Sequence, residues 1–278
     1  MHKFAAFLLV TAGCASVNRA GVPTVATAAE PAPPIDLLLA QRFIAELDAM
    51  CAADGGKLWG RSLAGPLIFV DPVTRYAVSN RADTRGVLKA KGTLFVGPLS
   101  DDVLLANTAV EWDGSRWTMV IWASLVDAPN AQRRKLLAHE AFHRVQPELG
   151  LRVPDDLNTH LDTKDGRVLM QLEWGALEVA LNAHDAARIR AVGDALAFRK
   201  ARQAQFAHAQ LRESQLEVNE GLAEYSGARL AEYSAADVVK TGQAKRENET
   251  ADVEPQLRSK LKFRFSADKI LFYYMEIG

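Results

Sequence analysis

The chain has 278 residues, 49% of them hydrophobic and 24% charged, with a formal net charge of −1. That length is enough to bury a full core, as one large α+β domain or two closely joined lobes. Its Lys and Arg are scattered, with no basic run interleaved with aromatics, which argues against a nucleic-acid partner, and two cysteines exclude a disulfide framework.

The first predicted element is a leader. His2-Lys3 followed by an apolar run over 4–10 has the form of a secretory signal and is too short to span a bilayer as a mature helix. Residues 1–28 are therefore expected to act as signal peptide and tether, and the chain to be exported. Thr11-Ala12-Gly13-Cys14 resembles the lipobox of bacterial lipoproteins, with Thr where Leu is usual. Lipidation of Cys14 would tether the protein to a membrane through the Ala/Pro-rich stretch over 20–34, giving a periplasmic or membrane-anchored lipoprotein. Cleavage near Ala26-Thr27-Ala28 would instead release it.

After Asp36, the spacing of Leu39, Phe43, Ile44, Leu47 and Met50 predicts an amphipathic helix, with Cys51 near its end as a small buried hydrophobe. The pattern then becomes extended. Runs over 67–70, 75–78, 93–96, 108–112 and 117–124 are short and rich in β-branched or aromatic residues, and Asp113-Gly114 is a hairpin signal. These predict a small antiparallel sheet, with Trp117 and Trp122 as candidate core aromatics.

The next element is again helical. Asp127-Ala128-Pro129-Asn130 offers capping residues, Leu136, Leu137, Phe142 and Val145 form an apolar stripe, and Pro147 marks the end. Within it lies His139-Glu140-Ala141-Phe142-His143. At about 3.6 residues per turn both imidazoles fall on one helix face, where both can reach one Zn²⁺, and Glu140 projects roughly 100° away. That is the place for a general base.

Beyond it, apolar-rich helical patterns over 166–183 and 184–208 predict a helical hairpin, with His184 and His208 as surface residues at its ends. Arg199-Lys200-Ala201-Arg202 reads as a solvated helix face.

A catalytic zinc needs a third protein ligand and an open position. The metzincin extension is absent, because Gln146 and Leu149 stand where that motif requires Gly and His. Asn219-Glu220-Gly221-Leu222-Ala223-Glu224-Tyr225 resembles the Asn-Glu segment of the gluzincins, the thermolysin-like zinc metallopeptidases, and is similar to the Asn-Glu-Gly-Phe-Ala-x-Tyr stretch of gluzincin aminopeptidases. The resemblance implies Glu220 as third ligand. It also implies that Glu224, one turn on, accepts the free N–H of a ligating His. The separation of His143 from Glu220 exceeds that of short-spaced gluzincins, and the predicted hairpin accounts for it as an insertion. Asp162 and Glu173 are rival third ligands. Asp162 sits in a polar stretch, and Glu173, on an apolar helix, is better suited to a structural salt bridge. His160 is a further candidate for contact with substrate or an oxyanion.

The fold implied is α+β and zincin-like, over residues 35–278, with an α+β lobe over 35–126 and a helical lobe over 127–278. The activity implied is hydrolysis of a peptide or protein substrate by a zinc-activated water, with Glu140 as general base. In gluzincins an edge strand beside the zinc helix holds an extended peptide, and the run from Trp117 to Trp122 resembles it. A downstream Tyr or His completes the oxyanion site, for which Tyr273 and Tyr274 are candidates. Tyr225 and Tyr233 are expected only to pack. Exopeptidase action is not implied, since the Gly-x-Met-Glu-Asn motif is missing. Two other classes stay open: a zinc hydrolase of a non-peptide substrate, and a catalytically inactive zincin-like binding protein.

Overall fold

The computed structural model describes residues 34–151, 154, 158–234, 236, 237 and 240. The expected leader with Cys14, and Tyr273 and Tyr274, lie outside them. Among the described residues no helix is long and apolar enough to cross a membrane.

Asp36 caps the first helix, α1 (Leu37–Asp54), by accepting from the N–H groups of Leu38 and Leu39 at 2.9 and 3.0 Å. Phe43, Ile44, Leu47 and Met50 of its apolar stripe are buried and Leu39 is partly so, and Cys51 lies near its end inside the core, where burial and then the nearby Asp48 push the thiol up to about 11. A group so reluctant to ionise is packing, not a nucleophile.

Six strands follow: β1 (Leu67–Val70), β2 (Tyr76–Ser79), β3 (Lys89–Lys91), β4 (Leu94–Pro98), β5 (Thr108–Trp112) and β6 (Ser115–Ile121). They form one sheet in the order β3-β4-β2-β1-β6-β5. Asp113 and Gly114 join β5 to β6 with φ of 53° and 70°, the left-handed pair that lets a two-residue turn match strand twist. The expected antiparallel sheet is in fact mixed, because β1 and β6 run parallel. The chain between them is long enough to carry four strands and return, which lifts the short-connection constraint that makes neighbours antiparallel. β6 is also interior, flanked by β1 and β5, so the run from Trp117 to Trp122 is not an edge strand. The edges are β3 and β5.

Strand alternation divides the core. Leu67, Phe69, Val78, Val120 and Trp122 face the helices, whereas Ile68, Val70, Ala77, Trp117 and Met119 form a second cluster on the other face. Both tryptophans are thus core residues, Trp122 against Phe43 and Phe69 and Trp117 against Trp112.

After the short helix α2 (Ala123–Val126) comes α3 (Asn130–Val145), which carries both histidines. Its N-cap is Pro129, with no side-chain cap bond, and Asn130 Oδ1 instead accepts from Arg133 at 2.6 Å. The expected cap is therefore not formed by Asp127 or Asn130. Arg133 also donates twice to Glu46, at 3.1 Å each, tying α3 to α1. A 3-10 turn (Gln146–Leu149) containing Pro147 ends the helix.

The helical pair is present as α4 (Lys164–Asn182) and α5 (Asp185–Gln205), preceded by a 3-10 turn (Thr159–Asp162). His184 and His208 are exposed at its ends. The chain continues through α6 (Ala209–Leu216), a π-helical turn (Glu217–Gly221) and α7 (Leu222–Leu230).

The hairpin is held to α6 by buried charge. Arg202 is not a solvated residue but is fully buried, donating to Glu173 at 2.6 Å and to Glu213 at 2.6 and 2.9 Å. Arg199 bonds Glu173 at 2.9 Å and pairs with Glu217 in the π turn. His160 Nε2 donates to Glu213 at 2.7 Å. Burial raises the Glu213 carboxyl, but the hydrogen bonds from His160, Arg202 and Gln203 outweigh it and bring the group down to about 2.

A carboxylate depressed on folding stabilises the native state above its unfolded value of 4.5, and that contribution is lost as pH falls toward about 2. The shift corresponds to roughly 3 kcal/mol, at about 1.36 kcal/mol per unit. Urea titrations between pH 6 and pH 2.5 are expected to show this acid loss in the wild type and a flatter dependence in Glu213→Gln, which is also less stable at neutral pH.

Candidate metal centre

The local geometry of the site begins with how closely two helices approach. Gly227 of α7 lies against α3 such that a Cβ there would stand 2.6 Å from the carbonyl oxygen of Lys135 and 3.3 Å from Cβ of His139. Ala223 and Ala138, both fully buried, keep the same interface narrow. From the other side Trp59 packs on Phe142 at 5.1 Å between ring centroids, while its Nε1–H donates to Ser226 Oγ at 2.9 Å, bridging α3 and α7.

This packing brings the π turn over the histidine face of α3. His139 Nε2 and His143 Nε2 are 3.2 Å apart, and Glu220 Oε2 lies 3.5 and 3.7 Å from them. These three residues are the one group among the described residues with the donors to hold a metal ion. Ligands about 2.0–2.1 Å from a tetrahedral zinc are separated by about 3.4 Å, close to all three observed distances. A triangle of those sides has a circumradius of about 2.0 Å, so one ion can reach its three corners at ordinary bond lengths. Two imidazole nitrogens facing each other at this range also need a proton or a cation between them. Glu220 is 32% exposed, against 13% and 11% for the two rings, so the triangle opens to solvent on its side.

Partners behind the rings fix their orientation. Glu224 Oε2 stands 3.7 Å from His139 Nδ1, and Glu224 Oε1 pairs with Lys135 Nζ, whose ammonium lies 5.5 Å over the Tyr233 ring. His143 Nδ1 is 3.0 Å from Gln146 Oε1. Asn219 Nδ2 donates to Glu220 Oε1 at 3.1 Å.

The charges respond to these contacts. Burial disfavours a charged His139, yet the bonds it donates to Glu220 and Glu224 outweigh this and lift the ring to about 10. Burial likewise opposes ionisation of Glu220, but His139 and His143 hold its carboxyl well below the usual range. Glu140 behaves oppositely. It is 4% exposed, burial pushes its carboxyl up, and Oε2 has no hydrogen-bond partner among the described residues. An orphaned buried carboxylate oxygen beside three side chains able to hold a metal ion fits a group that handles a proton.

The rival ligands are elsewhere. Asp162 is exposed, and its backbone carbonyl accepts from Arg167 at 2.9 Å. Glu173 is fully buried between Arg199 and Arg202, and His160 is bound to Glu213. Tyr225 packs in the hairpin core, and Tyr233 lies past the end of α7. Lys135 and Gln146 escaped the sequence reading as partners of the site. Each sits one turn from a histidine, at i−4 of His139 and i+3 of His143, which is the one signal the sequence carries for them.

Gly227→Ala is expected to lower stability by about 1–3 kcal/mol, because the new methyl meets backbone. Gly193→Ala, in α5 with nothing within 4 Å of the added Cβ, is expected to be neutral or to gain up to about 1 kcal/mol. Thermal and urea unfolding of the two variants provide the check.

Comparison of the chain with protein-family models, curated proteins and solved structures found no match.

Proposed function

We propose that the protein is an exported zinc-dependent metallopeptidase of gluzincin type on a zincin-like fold. The observation that carries this reading is the convergence of Glu220 with His139 and His143 on one point of ordinary zinc bond length. In this reading the three residues hold Zn²⁺, which when bound supplies Lewis-acid polarisation of a carbonyl and lowers the pKa of water to about 7.

The chain's own residues do the remaining work. Glu140, poised toward its neutral form by burial, accepts the proton of the attacking water and passes it to the leaving amine. Glu224 takes the Nδ1–H of His139 and is itself neutralised by Lys135, which keeps the imidazole turned toward the ion. An extended peptide is held by backbone hydrogen bonds along β5, the edge strand on the α3 side of the sheet, rather than along β6. The compartment follows from the leader over 1–28, with or without lipidation of Cys14.

A second reading, a zincin-like binding protein without turnover, is favoured by the low exposure of Glu140. Metal analysis of purified protein separates the two when combined with peptide and ester libraries assayed with and without chelator. His139→Ala and Glu220→Ala are expected to lose zinc. Glu140→Gln is expected to keep it and to lose hydrolysis by a factor of about 10²–10⁴. Stoichiometric zinc with no hydrolysis of any library favours the binding protein, chelator-sensitive cleavage confined to esters favours a non-peptide hydrolase, and absence of zinc from the wild type overturns the proposal.

A further inference from the structure

We infer that Gln146 is a positioning residue that sets two of the three metal ligands through a single side-chain amide, an inference that rests on the metal-centre reading above. Gln146 is 4% exposed and sits where α3 gives way to its 3-10 turn. Its Oε1 lies 3.0 Å from His143 Nδ1, and its Nε2 donates to the carbonyl oxygens of Val218 at 3.0 Å and Leu151 at 3.2 Å.

The orientation of this amide follows from chemistry. Both partners of its nitrogen are carbonyl oxygens, which only accept, so the flipped amide would set oxygen against oxygen twice in a buried place. The amide oxygen therefore faces His143, and Nδ1 of that ring must carry the proton it accepts. The lone pair of the neutral imidazole is then on Nε2, the atom 3.2 Å from His139 Nε2 and 3.7 Å from Glu220 Oε2. Gln146 thereby selects the ligating tautomer of His143.

The same side chain reaches the third ligand. Val218 lies in the π turn, two residues before Glu220, where Leu222 N–H reaches back to the carbonyl of Glu217 across a five-residue step. Such a turn changes the phase of a helix locally and is often found at functional sites. The amide N–H bound to Val218 fixes that turn against the end of α3, so the height of Glu220 over the histidines is set from the helix that carries them. The bond to Leu151 holds the segment that leaves α3 in the same grip.

The test uses the full chain. Zinc affinity is measured by competition with a chromophoric chelator for wild type, Gln146→Met and Gln146→Glu, with circular dichroism in chelator to verify folding. Gln146→Met, of similar volume but without the amide, is expected to bind zinc about 10–100-fold more weakly. Gln146→Glu keeps the acceptor for His143 but turns an oxygen toward Val218 and Leu151, and is expected to fall between the two. Nitrogen-15 NMR of the zinc-loaded wild type is expected to show His143 protonated at Nδ1, and Co²⁺ bound to Gln146→Met to give altered visible bands.

A folded Gln146→Met that binds zinc within about threefold of wild type, with an unchanged Co²⁺ spectrum, overturns the inference while leaving the metal centre intact. Failure of the wild type to bind zinc overturns the metal reading and this one together. Should Gln146→Met fail to fold, the tautomer of His143 in the wild type decides: a proton on Nδ1 supports the inference and a proton on Nε2 overturns it.

Discussion

The close approach of α3 and α7 at Gly227 is the constraint on which the centre depends. A side chain at that position would meet the backbone of Lys135, and backbone cannot rotate away as a side-chain tip can. With hydrogen there instead, the two helices pack closely enough for Glu224 on α7 and Glu220 in the π turn before it to reach the imidazoles of α3. Glu220 and Glu224 then meet opposite ends of the His139 ring, one at Nε2 and one at Nδ1. A displacement of about 1 Å would be a large fraction of a metal–ligand bond, so the fitness of these three side chains for a metal is set by this packing and not by the side chains themselves.

Charge in the helical half is arranged around the same end. Arg202 carries two carboxylates, and Arg199 joins one of them to Glu217 in the π turn. Buried ion pairs of this sort contribute little net stability against an apolar alternative, because desolvation offsets most of their attraction. What they supply is geometry. Each partner has few positions in which all its bonds are made, so the hairpin of α4 and α5 is locked to α6 and to the turn bearing Glu220. The helical pair between the histidines and Glu220 in the chain therefore acts as a brace for the turn that bears Glu220.

Burial places the functional groups on opposite sides of their ordinary chemistry. Glu220, half-buried beside two imidazoles, is held ionised, whereas Glu140, buried with an oxygen left unpartnered, is pushed toward its neutral form. Two carboxylates within one site are thus driven apart by environment alone, which in the proposed reading suits one to hold a metal and the other to take a proton.

Much of this was legible in the sequence, because it is local. The i, i+4 histidines share a helix face by helix geometry, Asp113-Gly114 favours one turn by its backbone preferences, and Glu173 on an apolar helix needed a countercharge, which Arg199 and Arg202 provide. The Asn219-Glu220 pair and Glu224 stood out through the resemblance of their short segment to the gluzincin motif. What the sequence could not decide depends on partners distant in the chain. The parallel pairing of β1 with β6, the edge position of β5, the burial of Arg202 and the grip of Gln146 on Val218 all join segments whose separation carries no periodic signal. Local pattern determined which side chains are able to bind a metal, and tertiary packing decided that they meet, because only the folded chain fixes distances between residues that no helical turn or strand pair connects.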